Sequence, residues 1–293
     1  MEVTPDPDRH LAERLERGEI LTFEPCPFAL PIEADLAFLL NQGTAGRVHK
    51  DINLNPASNA VTGFRRESAA QAGRLRDVLR GFANGAATWL ADLLPGYARS
   101  WQLDRVSFRA DEEATRKLRV TARNDLLHFD AFPSRPTRGR RILRLFVNIN
   151  PIDPRVWVTS DTFTRVFEQY GSRAGLPGSA ADGWTHRFGQ GFLSLFQPGA
   201  GMRTPYDVYM LRLHHFLKNS AEFQERAPRR LWHFPSRSAW LVFTDAVSHA
   251  ELRGRYALEH SFFIAPEALA LPAESPLALL EGACGAPVLP RVA

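Results

Sequence analysis

Apolar residues recur at helical spacing in the first third of the chain and form strand-like runs in the rest. The helical spacing predicts three helices in the first part, over residues 6–18, 32–40 and 67–94. Residues 51–63 are rich in Asn, Ser and Pro, so we expect a loop between the second and third helices. The first part of the chain should therefore form mainly helices that pack against a sheet.

Alternating or continuous apolar runs predict strands from about residue 99 onwards. The predicted strands cover residues 99–110 and 118–122, two runs within 124–151, and then 230–234, 239–244 and 256–264. Helical patterns at 161–170 and 207–218, joined by a glycine-rich connector over 171–184, interrupt them. Because the strands cluster without a strand–helix–strand alternation, the pattern predicts an α+β fold. We expect a double-stranded β-helix (a jelly-roll or cupin-like barrel) with flanking N-terminal and inserted helices.

Length and composition are compatible with a single domain over residues 1–293. With 44% hydrophobic and 23% charged residues, the chain can bury a sizeable core. We expect residues 1–98 to form a helical support and residues 99–265 to form the barrel, with a helical insertion at 160–226. Residues 266–293 are predicted to form a C-terminal tail.

The charge composition is compatible with an anionic ligand but does not require one. Lys and Arg together number 36 against 32 Asp and Glu, and the lysines are Lys50, Lys117 and Lys218. Guanidinium groups suit carboxylates and phosphates, although a GC-rich coding sequence produces the same arginine excess. No basic stripe interleaved with aromatic residues and no RNA- or DNA-binding module is recognisable, so nucleic acid is not an expected partner.

Cysteine content and the lack of other motifs narrow the class of protein. Cys26 and Cys284 lie near opposite ends of the chain, which excludes a disulfide framework and a cysteine-based metal site. The first residues are charged and no apolar run is long enough to span a membrane, so we expect a cytoplasmic protein, at most peripheral at the inner membrane. The GxSxG, P-loop and dinucleotide-binding motifs are missing.

The most informative local pattern is His128-Phe-Asp130, which lies in an extended apolar segment. Side chains two residues apart in a strand point to the same side, so His128 and Asp130 should project together. An imidazole and a carboxylate side by side provide two of the three ligands in a two-His-one-carboxylate site for ferrous iron. Because this triplet arises often by chance, the assignment depends on a third ligand elsewhere in the chain.

His249 is the preferred candidate for the third ligand. It follows an apolar strand and a turn, and it precedes the last strong strand of the predicted barrel. A second pair of strands could bring a side chain from this place to His128 and Asp130, and the intervening sequence leaves room for the helical insertion. His260 is the alternative, but its position in the middle of a strand favours a packed or hydrogen-bonded histidine.

Three longer motifs resemble the Kdo hydroxylases, ferrous and 2-oxoglutarate-dependent dioxygenases that add a 3-hydroxyl to the Kdo sugar of lipopolysaccharide. The motifs are HFDAFPSRPTRGRRILRLFVNINP at 128–151, TPYDVYMLRLHHFLK at 204–218 and FTDAVSHAELRGRYALEHSFF at 243–263. The similarity spans roughly residues 100–265. The resemblance implies that His128, Asp130 and His249 bind Fe(II), that 2-oxoglutarate and O2 are co-substrates, and that succinate and CO2 are released.

The resemblance also implies a cation that anchors the distal carboxylate of 2-oxoglutarate. Arg144 lies on the strand after the HxD segment, where some barrel oxygenases place this residue. Arg255 opens the last strand, where many others place it, but it follows His249 at a shorter interval than is usual there. We prefer Arg144 because an arginine on an apolar strand is costly to bury without an anionic partner. Arg109 is a further candidate clamp for a carboxylate.

The implied acceptor is an anionic glycolipid, Kdo-containing lipid A. A cluster of arginines in the proline-rich turn after Asp130 could meet its carboxylate and phosphates. The cluster consists of Arg135, Arg138, Arg140 and Arg141, and Arg203 and Lys218 are further candidates. Contact with the cytoplasmic leaflet is compatible with this acceptor, and no protein partner is implied. Two alternatives remain open: the same oxygenase chemistry on another anionic substrate, and a non-catalytic, cupin-like metal-binding protein.

Overall fold

The computed structural model describes residues 7–45, 51–65, 67–112, 118–176 and 203–290, which form two antiparallel sheets with helices around them. The strands are β1 Leu21–Phe23, β2 Ile52–Asn55, β3 Ala60–Thr62, β4 Gln102–Arg109, β5 Arg141–Asn148, β6 Arg155–Thr162, β7 Arg230–Phe234, β8 Ala239–Phe243, β9 Val247–Arg253 and β10 Ala257–Ile264. The helices are α1 Pro7–Glu16, α2 Glu33–Leu40, α3 Ala69–Leu93, α4 Pro95–Ala98, α5 Phe163–Tyr170, α6 Pro205–Asn219, α7 Ala221–Arg226 and α8 Pro276–Cys284.

The larger sheet has the strand order β1-β8-β5-β10-β4-β2-β3, and the smaller sheet has the order β7-β6-β9. Neighbouring strands are antiparallel throughout both sheets. Aromatic side chains fill part of the space between the sheets: Phe146 and Trp240 of the larger sheet are stacked, and Trp157 of the smaller sheet packs edge-on against both. This arrangement is the expected jelly-roll barrel.

Strand β5 is buried along its whole length because both of its faces are covered. Leu143, Leu145 and Val147 belong to a core shared with the helices, whereas Arg144 and Phe146 point between the two sheets. Helix α3 covers the outer face of the sheet with a stripe of buried side chains. That stripe consists of Leu75, Val78, Leu79, Phe82, Ala83, Ala86 and Leu90.

Residues 51–63 form the β2–β3 hairpin, so the prediction of a loop there was wrong. Ile52 and Leu54 alternate with polar residues and are buried, and β2 extends the larger sheet by pairing with β4. The Asn- and Pro-rich residues occupy the turn, where Asn59 adopts a positive φ of 55°. The composition of the turn concealed two short strands.

Three other predictions of secondary structure need correction. Residues 118–122 contain a 3-10 turn at Val120–Ala122 instead of a strand. Strand β6 was not predicted, and the helix predicted from residue 161 begins at Phe163. Strand β9 was not predicted either: His249 was expected to follow a turn, and the SHAELR sequence is polar although most of it is buried. Buried polar residues give no apolar alternation, which explains the last error.

Part of the helical insertion predicted at 160–226 lies outside the described residues, as does part of the connector at 171–184. Its described C-terminal part contains helices α6 and α7, and α6 begins with a capping box between Thr204 and Asp207. In the part of the chain that the structure describes, no helix is long and apolar enough to cross a membrane.

Candidate metal centre

The HxD segment is held in place by the smaller sheet and the β8–β9 turn. His128 and His249 form an antiparallel bridge through two backbone hydrogen bonds of 3.1 and 2.9 Å, and the Asp130 amide donates to the Thr244 carbonyl at 2.9 Å. Apart from this bridge the segment is irregular, so the predicted continuous strand is not formed. The bridge nevertheless places His128 beside His249, which lies 121 positions later in the sequence.

His128, Asp130 and His249 converge on one point, as the sequence predicted. One potential ligand atom from each side chain lies within 4.8 Å of the others, and the three residues are 3%, 7% and 4% exposed. The ring centroids of the two histidines are 4.8 Å apart, and His128 Nε2 is 3.5 Å from Asp130 Oδ1. A single ion placed between them could be reached by all three side chains.

The hydrogen bonds around the two imidazoles suit a metal ligand. His128 Nδ1 lies 2.7 Å from the Leu126 carbonyl oxygen, and His249 Nδ1 lies 3.1 Å from that of Val247. Each Nδ1 therefore carries the proton and donates it, which leaves the lone pair on Nε2. Burial lowers the pKa of both histidines, so both rings are neutral at physiological pH. Two neutral imidazoles and one carboxylate form a donor set that fits Fe(II).

Asp130 remains ionised despite its burial. Burial by itself would raise the pKa of its carboxyl group, but the Arg144 guanidinium and the hydrogen bond with His128 outweigh that effect and hold the pKa well below its usual range. Arg144 Nη1 contacts Asp130 Oδ2, whereas Oδ1 faces His128. Arg144 therefore leaves one carboxylate oxygen directed at the proposed metal position.

A buried network of arginines and carboxylates continues from Asp130. Arg144 also contacts Glu259, with Nε at 2.9 Å from Oε1, and Arg109 Nε donates to the other oxygen of Glu259 at 2.9 Å. Arg109 Nη1 lies 3.1 Å from Glu251, which also pairs with Arg155. Because each buried charge has an opposite charge beside it, the cost of removing these groups from water is largely offset.

Arg144 already has two anionic partners within the protein. The sequence suggested that a buried arginine on an apolar strand requires an added anion, whereas Asp130 and Glu259 already supply two carboxylates. Arg144 and Arg109 nevertheless line the same cavity as His128 and Asp130. Arg255 does not line it: its side chain is exposed, donates to the Ala110 carbonyl at 3.2 Å and stacks on Tyr256. Of the two candidate anchors, only Arg144 is near the metal centre.

The predicted arginine cluster after Asp130 does not stay together. Arg138 is exposed, and its backbone has a positive φ of 53° and is tied to Asp207 by a hydrogen bond of 3.0 Å. Arg141 points to the helical side of β5 and pairs with Asp245 at 2.8 Å, because it lies three positions from Arg144 and alternation places it on the other face. Neither residue lines the metal-centre cavity; Arg140 does not line it either. Arg135 does.

The cavity beside the metal centre has a volume of about 620 Å³ and is rich in cations. Besides Arg109 and Arg144, its positively charged residues are Arg105, Arg119, Arg135, Arg203 and Lys218. Arg135 pairs with Asp104, and its guanidinium carbon lies 4.1 Å from the centroid of the Phe132 ring. Burial is the main cause that lowers the pKa of Arg135 to about 10, and the positive charge of Arg144 lowers it further. Arg203 donates to the Pro133 carbonyl, and within the described residues its Nε and Nη1 are buried without a hydrogen-bond partner.

Sequence reasoning missed Glu251, Glu259 and His214. Glu251 lies two positions after His249, so strand alternation could have placed it on the same face as the ligand. Glu259 is a carboxylate within an apolar strand, which is a weaker signal. His214 Nδ1 donates to the Phe129 carbonyl at 2.7 Å, between the two HxD ligands, and only the packing of α6 against this segment reveals it. His260 lies on the helical face of β10, fully buried and away from the metal centre.

Comparisons with known proteins agree with this geometry. A family model described as 3-deoxy-D-manno-oct-2-ulosonic acid (Kdo) hydroxylase matches residues 1–287. Among solved structures, the Kdo hydroxylase KdoO, a non-haem Fe(II) α-ketoglutarate-dependent dioxygenase in complex with α-ketoglutarate and Fe(III), is 32% identical. That match has a TM-score of 0.83 and covers 99% of this chain and 94% of that one.

Two further structures of KdoO match equally well. The apo form is 33% identical over 99% of this chain and 94% of that one, and the complex with succinate and Fe(III) is 32% identical over 100% and 95%; both TM-scores are 0.83. No curated protein sequence matches. The similarity to KdoO over nearly the whole chain confirms the predicted fold class.

Proposed function

The chain belongs to the Kdo hydroxylase family, which confirms the resemblance seen in its motifs, and we propose that it is an Fe(II)- and 2-oxoglutarate-dependent enzyme that adds a 3-hydroxyl to the Kdo sugar of Kdo-lipid A. The observation that carries this proposal is the buried convergence of His128, Asp130 and His249 beside a cation-rich cavity. Iron, 2-oxoglutarate and O2 would together supply the oxidation of an unactivated C–H bond, with succinate and CO2 as by-products.

The three ligand residues would hold the metal through His128 Nε2, His249 Nε2 and Asp130 Oδ1. The Leu126 and Val247 carbonyls orient the imidazoles, and Arg144 occupies the second oxygen of Asp130. Three protein ligands on one face leave the remaining positions for 2-oxoglutarate and O2. The negative charge of Asp130 reduces the net charge of the metal centre.

We assign the distal carboxylate of 2-oxoglutarate to Arg144, with Arg109 beside it across Glu259. Both guanidinium groups line the cavity and Arg144 contacts Asp130, whereas Arg255 lies outside the cavity. Each guanidinium carries five N–H donors, so pairing with Glu259 does not exhaust its capacity. The anionic co-substrate would then join an existing charge network whose arginines are already positioned.

The acceptor is proposed to be anionic because the cations of the cavity outnumber its acids. Arg109 and Arg144 are balanced by buried carboxylates, but Arg119, Arg203 and Lys218 add positive charge to the wall. Kdo carries a carboxylate and lipid A carries phosphates, and Arg135 and Arg203 are the residues that we assign to such groups. Since the acceptor is a membrane glycolipid, we also propose peripheral contact with the cytoplasmic leaflet of the inner membrane.

Two measurements test this function. Anaerobic titration with Fe(II) and 2-oxoglutarate should produce a weak visible charge-transfer band, and its absence would favour a non-catalytic metal-binding protein. Addition of O2 and Kdo-lipid A should then yield a product that is heavier by one oxygen atom, together with one equivalent of succinate. A visible band without this product, but with coupled turnover of another anionic acceptor, would keep the oxygenase chemistry and reject Kdo-lipid A.

A further inference from the structure

We propose that Lys218 binds the carboxylate of the sugar that is hydroxylated and thereby aims the reacting carbon at the metal centre. This inference rests on the proposed function and assigns a substrate-positioning residue within the same cavity.

Lys218 is a buried cation at the wall of the active-site cavity. It lies in the last turn of α6, is 4% exposed, and lines the cavity together with His128, Asp130 and His214. Its Nζ donates to the Thr121 carbonyl oxygen at 3.4 Å. An ammonium group carries three N–H donors, so this bond is compatible with a second acceptor that enters from the cavity.

Lys218 lies next to the histidines at the metal centre. It follows His214 by one turn of α6, and His214 Nε2 and Lys218 Nζ both lie 3.4 Å from the Thr121 carbonyl oxygen. The ring centroid of His214 is 5.0 Å from that of His128. Arg144 contacts Asp130 instead. With Arg144 assigned to 2-oxoglutarate, we assign Lys218 to the acceptor.

The structure of the sugar explains why a cation is useful at this distance. In a 3-deoxy-2-ulosonic acid the carboxyl carbon is C1, the anomeric carbon is C2 and the methylene carbon is C3, so two bonds separate the carboxylate from the carbon that is hydroxylated. A carboxylate held beside the metal centre places C3 near the oxidant, which is an orientation effect on the rate. Cations that contact the Phe132–Pro133 turn, Arg135 and Arg203, are better placed for more distant acidic groups.

The residue type is also informative. Of the 36 Lys and Arg residues, only Lys50, Lys117 and Lys218 are lysines, and Lys218 is the one within the described residues. A chain that uses arginine almost everywhere has a lysine in its active-site cavity. A compact ammonium fits next to an imidazole and a single carboxylate, whereas a longer planar guanidinium would need more space.

The experiment compares the binding of an acid with that of its ester. The methyl glycoside of Kdo and the methyl ester of that glycoside are titrated calorimetrically, in the absence of O2, into the Fe(II)- and 2-oxoglutarate-loaded forms of the parent protein, the Lys218→Met variant and the Arg212→Met variant. Arg212 lies on the same helix but is exposed and outside the cavity, so it controls for the loss of a positive charge. We expect the parent and Arg212→Met to prefer the acid about 10- to 100-fold, and Lys218→Met to bind both forms alike.

Equal binding of acid and ester by the parent would overturn the proposal, as would an acid preference that survives in Lys218→Met. Lys218→Arg provides a second variant that keeps the charge: it should retain the acid preference but show a lower kcat and more succinate formed per hydroxylated product. Coupling as tight as in the parent would overturn the orientation role. Parent protein that prefers the acid but does not hydroxylate Kdo-lipid A would contradict the proposed function while supporting the role of Lys218 in binding.

Discussion

The two faces of the larger sheet show how similar residues acquire different roles. On the face toward the smaller sheet, Arg144 of β5 contacts Asp130 and Glu259 and lines the active-site cavity. On the helical face of the same strand, Arg141 pairs with Asp245. Both arginines are buried and both have carboxylate partners. What distinguishes Arg144 is its contact with Asp130, a proposed metal ligand, so burial and pairing alone do not identify a functional arginine.

Strand β10 shows the same contrast one strand away. Glu259 faces the active site, where Arg144 and Arg109 outweigh the effect of burial and lower its pKa to about 2. His260, the next residue, faces the helices beside Phe262, and within the described residues neither of its ring nitrogens has a hydrogen-bond partner. Adjacent residues on one strand therefore belong to a charge network and to an apolar core.

The largest effect should follow from removing a residue on the active-site face. His249→Ala should lose more than ~100-fold in Fe(II) affinity and all detectable hydroxylation, because one of three protein ligands is gone. His233→Ala, which removes an exposed histidine of β7, is the control. Iron binding and the ratio of succinate to hydroxylated product are measured for both. Parent-like iron binding and coupling in His249→Ala would remove the basis of the proposed metal centre.

Single substitutions of the two β5 arginines, Arg141 and Arg144, should distinguish an effect on stability from an effect on co-substrate binding. Arg144→Ala and Arg141→Ala should each lower the free energy of unfolding by about 3–5 kcal/mol, because each leaves a buried carboxylate unpaired. Only Arg144→Ala should also weaken 2-oxoglutarate binding, by about 30-fold or ~2 kcal/mol. Urea unfolding and equilibrium titration measure the two effects.

Arg255→Ala, at an exposed position just before β10, should change neither quantity. Unchanged 2-oxoglutarate affinity in Arg144→Ala would show that the anchor lies elsewhere. Because the alanine variant could be too unstable to titrate, Arg144→Lys, which keeps the positive charge, serves as the folded alternative.

His260 should govern part of the pH dependence of stability from the helical face. Burial lowers its pKa from about 6.5 in the unfolded chain to about 3 in the folded protein. Below pH 6.5 the unfolded chain binds a proton that the folded protein does not, so the free energy of unfolding should fall by up to ~1.4 kcal/mol per pH unit as the pH decreases.

His260→Leu should remove this contribution and stabilise the protein by about 1–2 kcal/mol at pH 7, since two buried polar atoms without partners disappear. Urea unfolding between pH 7 and pH 4 measures the difference in slope. His214, whose pKa burial also lowers to about 3, should contribute a similar slope in both proteins. An identical slope in parent and variant would show that His260 is not buried as a neutral imidazole.

The smallest effect should follow from removing one positive charge from the cavity wall. Arg203→Met should raise the KM for Kdo-lipid A about fivefold, or ~1 kcal/mol, with little change in kcat. Arg138→Met, an exposed arginine beyond the same turn, is the matched control and should leave KM unchanged. Steady-state kinetics with phosphorylated and dephosphorylated acceptors provide the test. An equal effect on both acceptors would show that Arg203 does not contact phosphate.

Local sequence rules predicted the parts of this site that depend on neighbouring residues. The HxD spacing indicated that His128 and Asp130 project together, and the long motifs around them indicated the family. Alternation along β5 places Arg141 and Arg144 on opposite faces, so the arginines after Asp130 do not form the single cluster that we expected. The β2–β3 hairpin and β9 were missed because a turn-like composition and a polar strand conceal the usual apolar pattern.

By itself, therefore, the sequence determined the family, the barrel class and three metal-ligand candidates, because residue type and short-range periodicity carry that information. Only the tertiary structure decided which face of β5 is the active-site face, that Glu259 and Glu251 balance the buried arginines, and that Arg255 lies outside the cavity. These features depend on contacts between strands that are more than 100 residues apart in some cases. No local rule of spacing can specify such a partner, since the strand order within the larger sheet selects Glu259 and the packing of the two sheets selects Glu251.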